Sequence, residues 1–194
     1  QYFDFVEEPA AEDLLKLGKC YYNLACQDSV PELQKEELIK ADTLFKELSI
    51  QVPNSYVSYF WRARVNSMLD PETTKGLAKP YYEKVIEIGS VQPERYKREL
   101  IESYKYLGYY HYVIADAITT KNNGNPDPAK EEYGEAKEIA DSIDWRRVRN
   151  AMMLANVSDI YEKTGEYQKS YDILQIAYHR AEGSRKVLYR LSSL

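Results

Sequence analysis

The sequence predicts an all-α chain, a solenoid of about four helix pairs followed by a terminal helix. Two observations carry this. Leu154–Ala177 (LANVSDIYEKTGEYQKSYDILQIA) reads as two amphipathic helices meeting at Thr164–Gly165: Leu154, Val157, Ser158 and Tyr161 share one face of a 3.6-residue period, and Ser170, Leu174 and Ala177 repeat it on the return helix. The small first-helix residues Gly18, Ala63, Gly108 and Ser158 recur at intervals of 45, 45 and 50 residues, the self-similarity expected of a helical solenoid. Small residues at such positions let two helices approach closely, as Ser158 and Ser170 would.

Residues 1–8 (QYFDFVEE) read as a leader, and Pro9 suits the start of a helix. In the first repeat, 9–53, Leu14, Leu17, Gly18 and Tyr21 face Ala41, Phe45 and Leu48, and Pro53 ends the pair. Gly18 and Ala41 are 23 residues apart against 12 for Ser158 and Ser170, so the helix-to-helix connection is expected to be about eleven residues longer, supplied by Gln27–Glu36. The second repeat, 54–90, starts at Asn54–Ser55. Tyr59 and Ala63 match Leu14 and Gly18, but Arg62 and Asn66 replace apolar residues, and Phe60, Trp61 and Val65 could shift the packed face. If the register holds, Arg62 points inward and needs a carboxylate such as Asp70 or Glu83; if it slips by one, Arg62 is solvated. Asp70–Pro71 closes that helix, and Ala78, Tyr82 and Val85 form the return face.

The third repeat, 91–143, follows Pro93. Tyr104, Leu107, Gly108 and His111 face Tyr133, Ala136, Ala140 and Ile143, with a long insertion in or beside Lys121–Asp127 (KNNGNPD). The fourth repeat, 144–182, is the helix pair described first, and residues 183–194 read as one more helix that could cap the last apolar face or begin a further repeat.

These residues resemble the 34-residue tetratricopeptide repeat (TPR) over about 10–182, most closely in repeats three and four. The resemblance implies a right-handed α-α superhelix whose first helices line a concave groove that binds a peptide or helix of another protein. Placed on this chain, the groove residues are Lys19, Tyr22 and Asn23, then Phe60, Arg64 and Ser67, then Lys105, Tyr109 and Tyr112, and Asp159 and Glu162. Aromatics flanked by Lys and Arg fit a partner with apolar anchors and some acidic residues, although several of these tyrosines could instead pack between repeats. One TPR subgroup clamps a chaperone's C-terminal carboxylate with Lys and Asn; the corresponding places here hold Leu15, Lys19, Trp61, Glu102 and Tyr106, so the clamp is absent. The stretch GLAKPYYEKVIEI with the preceding YFWRARVNSMLDP is similar in texture to TPR proteins of bacterial cell envelopes, which implies the periplasm or envelope rather than the cytoplasm.

Composition narrows the alternatives. A hydrophobic content of 44% with 13% aromatics excludes a disordered chain, and the 19 tyrosines suit a thin solenoid in which few positions are dry. A net charge of −5 argues against nucleic acid or an anionic membrane as the main partner, and the basic cluster Arg146, Arg147 and Arg149 lies among acidic residues as a solvated face would. No run is long and apolar enough to span a membrane. Cys20 and Cys26, six apart on one helix and about 9 Å apart along its axis, read as two small core residues that cannot pair. The chain begins at Gln1 rather than Met, so a cleaved or omitted segment is expected before it.

No nucleotide-binding or zinc-protease motif occurs. His111 occupies a packing position and His179 a helix end, and Asn122–Asp127 lacks the calcium-loop pattern. Neither a catalytic constellation nor a cofactor or metal site is expected. The reading is a non-enzymatic protein–protein interaction scaffold, with a regulatory or sensor segment of a larger protein as the alternative; a small-ligand binder or enzyme using residues 112–132 as a lid is a third. Exposed solenoid ends allow self-association.

Overall fold

A computed structural model describes residues 9–143 and 151–181. Within them the chain forms eight α-helices: α1 (Ala11–Gln27), α2 (Pro31–Gln51), α3 (Tyr56–Leu69), α4 (Lys79–Gly89), α5 (Lys97–Lys121), α6 (Lys130–Asp141), α7 (Ala151–Lys163) and α8 (Tyr167–Ala181). A single 3₁₀ turn, Asp127–Ala129, precedes α6. The fold is all-α, with consecutive helices packed as adjacent pairs. The leader 1–8, the cluster Arg146, Arg147 and Arg149, and the terminal helix expected over 183–194 lie outside the described residues. Contacts divide the chain between Ser103 and Tyr104, inside α5, into two compact units.

The first unit is built on the contact foreseen between Gly18 and the return helix. A Cβ at Gly18 would stand 2.5 Å from Phe45 Cε1, so only glycine admits this approach of α1 to α2. Leu14, Ala25, Leu38, Ala41, Phe45, Leu48 and Val65 close over it as one buried cluster. The Phe45 ring stacks on Trp61 of α3 at 5.8 Å, which carries the core into the next pair. Helix α3 starts at a serine cap, Ser55 Oγ accepting from the Val57 amide at 3.4 Å.

Three expectations for this unit are corrected. The α1–α2 connection is short: the surplus of Gln27–Glu36 lengthens the two helices, and Pro31 is the first residue of α2. Leu17 is 47% exposed and stands outside the buried cluster that Leu14, Ala41 and Phe45 form. Cys20 and Cys26 are exposed free thiols and not core residues, since neither falls on the Leu14–Gly18–Ala25 face.

Arg62 does point inward, and the repeat register holds. Its partner is Asp42 of the preceding pair rather than Asp70 or Glu83. Nε and Nη2 donate to the two Asp42 oxygens at 3.1 Å each, Nη2 also donates to the Tyr81 hydroxyl at 2.8 Å, and Asn66 Nδ2 donates to Asp42 Oδ1 at 2.9 Å. The two polar residues that break the apolar pattern of α3 therefore satisfy one carboxylate together. Asp70 is otherwise engaged: it is buried, and its Oδ2 accepts the Lys75 amide at 3.0 Å, holding the loop that contains the left-handed residues Thr73 and Gly76. Glu83 pairs with Lys79 on the surface.

In the second unit, α7 and α8 meet at the turn predicted. Gly165 takes φ +80°, and the Glu166 amide donates to the Tyr161 carbonyl at 2.8 Å, closing a Schellman-type cap. Ser158 and Ser170, both buried, share a hydroxyl–hydroxyl hydrogen bond of 2.8 Å. Ala140, Ile143, Leu154, Val157, Tyr161, Ile173 and Ala177 form the core. The insertion at 112–132 is mostly helical: α5 runs on to Lys121, and Ala115, Ala129 and Tyr133 bury a cluster of their own beside it. What remains irregular is a short bend with left-handed Asn123 and Gly124.

Candidate functional site

The first-helix faces of each unit carry the residues expected to meet a partner. In the first unit, α1 presents Lys19 and Tyr22 toward Trp61 of α3. Lys19 Nζ lies 5.2 Å from the Trp61 ring centroid and Tyr22 meets that ring edge-on at 5.3 Å. Asn23 is exposed beside them. Arg64 lies over Phe60 at 4.4 Å, and its Nε and Nη2 grip both oxygens of Glu102 at 2.7 and 2.6 Å. Those hydrogen bonds hold the guanidinium above its ordinary pKa. Burial pushes the Tyr82 hydroxyl up and the charge of Glu102 adds to it, while Tyr22 is raised first by its own burial.

The basic character expected of this face is thereby reduced, because the Arg64 charge is spent within the unit on Glu102. Phe60 is 8% exposed, a floor beneath Arg64 rather than a surface contact. Ser67 is half-buried and donates to the Ala63 carbonyl at 2.9 Å. Lys19 forms no ion pair among the described residues.

The second unit holds a narrow cleft between α5, α6 and α7. Lys105, Tyr109 and Tyr112 of α5 line it, Tyr109 being among the exposed aromatics. The Tyr109 and Tyr112 rings stack at 6.4 Å. Gly108, Ala136, Ala140 and Val157 make its floor, and these small side chains leave a free volume of about 20 Å³, room for one water or a methyl group. A Cβ on Gly108 would meet Ile139 Cγ2 at 3.3 Å, so the glycine sets how closely α6 approaches. Lys105 forms no ion pair among the described residues.

From α7 the cleft takes Asn156 and Ile160, not the expected Asp159 and Glu162. Asp159 is 7% exposed and Glu162 half-buried, and neither lines it. Asn156 is the lone polar residue of MMLANV, and that interruption of an apolar run is the signal in the sequence that marks it. His111, as expected, is held within the fold: Nδ1 is 2.7 Å from Glu132 Oε2 across α5 and α6. No group of three or more His, Cys, Asp or Glu among the described residues could hold a metal ion. No described helix is long and apolar enough to cross a membrane.

No protein-family model and no curated protein matches the chain. Nine chains of solved structures match it. One is the C-terminal part of a TPR repeat-containing protein from Cytophaga hutchinsonii, 31% identical across 71% of this chain and 45% of that one, with a TM-score of 0.49. The chain thus spans less than half the length of that solved protein. Adjacent helix pairs closed at Gly18–Phe45 and Ser158–Ser170, recurring along an all-α chain, make this a TPR-like helical-repeat protein.

Proposed function

We propose that the chain is a non-enzymatic protein–protein interaction module that binds a peptide or helix of a partner across the first-helix faces. The observation that carries the reading is the α5–α7 cleft, where exposed Tyr109 and half-buried Tyr112 and Lys105 surround an apolar floor. Tyrosines supply contact area at low entropic cost, and an ammonium without an ion pair attracts an acidic neighbour of the anchoring residue. The small free volume suits a methyl-bearing side chain such as alanine, valine or threonine, with the two phenol rings covering it. In the first unit, Lys19, Tyr22 and Asn23 are a second contact surface, and Arg64 orders it rather than meeting the partner.

Affinity capture from native lysate tests this, comparing the chain with a Lys105→Glu, Tyr109→Ala double variant, both first shown equally folded by circular dichroism. A protein retained by the parent and lost by the variant supports the reading. Equal retention places binding elsewhere and contradicts it.

A further inference from the structure

Asn156 stands half-buried on the α7 side of the cleft in the second unit, and its side-chain amide makes no hydrogen bond among the described residues. The side chains beside it, Val157 and Ile160 on α7 with Ala140 and Ile143 across the floor, offer neither donor nor acceptor. A carboxamide carries a donor and an acceptor side by side. A partner that covers the cleft takes water away from both. Each then needs a group on the partner in its place, or the desolvation is left uncompensated.

The backbone of a helix cannot supply those groups. Its N–H and C=O are paired along its own axis and sheathed by its side chains, and at about 10 Å across it would rest on the rim. The free volume beneath is only about 20 Å³. An extended strand offers the opposite. Both backbone groups of one residue point to the same side, as in a β-ladder, and successive side chains alternate between the floor and the outside. We infer that the partner segment in this cleft is extended, and that Asn156 pairs with the backbone N–H and C=O of one of its residues. The inference rests on the cleft being the binding site and names the conformation that site selects. Tyr109, Tyr112 and Lys105 act on the partner's side chains, whereas Asn156 acts on its main chain.

A display library of short peptides, selected on the full chain and counter-screened on Tyr109→Ala, supplies the probes. Peptides that bind the parent and not Tyr109→Ala are then measured against Asn156→Leu by fluorescence polarisation, with circular dichroism checking that the variants fold as the parent does. Asn156→Leu is expected to weaken each peptide by about tenfold or more, as the loss of two hydrogen bonds would. Methylating the peptide's backbone nitrogens one at a time should find one position that weakens binding to the parent and leaves binding to Asn156→Leu unchanged. A merely structural role for Asn156 would not give that pairing, and the scan on the parent carries the test alone if Asn156→Leu fails to fold. Peptides indifferent to Asn156→Leu, insensitive to methylation at every nitrogen, or bound more tightly once helix-favouring aminoisobutyric acid is introduced would overturn the inference and leave the cleft as the site. A library that yields no Tyr109-dependent peptide would overturn the cleft reading and the inference with it.

Discussion

The two units solve the same packing problem with different chemistry. In the first, α3 joins its neighbours through charged and aromatic side chains: Arg62 on Asp42, Arg64 on Glu102 and Trp61 on Phe45. In the second, the neighbours of Gly108, Ser158 and Ser170 meet through small residues, and a cleft is left where small side chains line three helices. Polar residues at core positions can keep a repeat intact if each finds its partner, but they then fill the surface that a ligand would use. Small residues leave that surface open. The two inward arginines of α3, Arg62 and Arg64, are therefore already committed, to Asp42 and Glu102.

Breaking the polar solution should have the largest effect. Arg62→Ala strands Asp42 and Asn66 in a half-buried site, and a loss of about 3 kcal/mol is expected by denaturant titration. Replacing Arg62 and Asp42 together with Leu and Ala should cost less than the single change, because no unpaired charge remains. Gly18→Ala comes next: the added methyl drives into Phe45, which is fully buried and stacked on Trp61, so about 2 kcal/mol should be lost despite the better helix propensity of alanine. Ser158→Ala leaves the buried Ser170 hydroxyl without its partner and should cost about 1 kcal/mol. Gly134→Ala, in α6 with open space around its Cβ, should reverse the sign and stabilise by about 0.5 to 1 kcal/mol.

A pH titration sharpens the same contrast within the second unit. Burial works against the charge of Asp141, but hydrogen bonds from Lys169 at 3.0 Å and Tyr161 at 2.9 Å, with Lys137 nearby, hold its carboxyl below the usual range. Its stabilisation is present above the unfolded carboxylate pKa and is lost as pH falls through the lower folded value. The melting temperature should therefore drop on acidification below about pH 4, and Asp141→Asn should flatten that drop while lowering the melting temperature at neutral pH.

The helix pairs were legible because close approach leaves a mark in sequence: a glycine, alanine or serine that recurs opposite a large residue. Arg62 was legible as inward for the same reason, but its partner was not, since a carboxylate 20 residues back on α2 competes with nearer ones only once the helices are stacked. The length of α1 and α2 was not legible, since the 23-residue separation of Gly18 and Ala41 fits a longer loop and longer helices equally, and it is Pro31, as the first residue of α2, that keeps the connection short. Leu17 shows a further limit: it keeps the helical spacing of Leu14 and Gly18, yet it is 47% exposed and outside the buried cluster. Repeat spacing placed Lys105, Tyr109 and Tyr112 on one face of α5, where all three line the cleft, but it did not show that Asn156 and Ile160 of α7 stand across from them, because spacing fixes a helix face and not which neighbour faces it.

Calorimetric titration of the captured partner against two single variants tests the central claim most directly. Tyr109→Ala is expected to weaken binding at least tenfold. Arg64→Gln, whose parent side chain is committed to Glu102, should weaken it less than threefold in protein shown to be folded. The opposite ranking would contradict the account and place the recognition surface in the first unit.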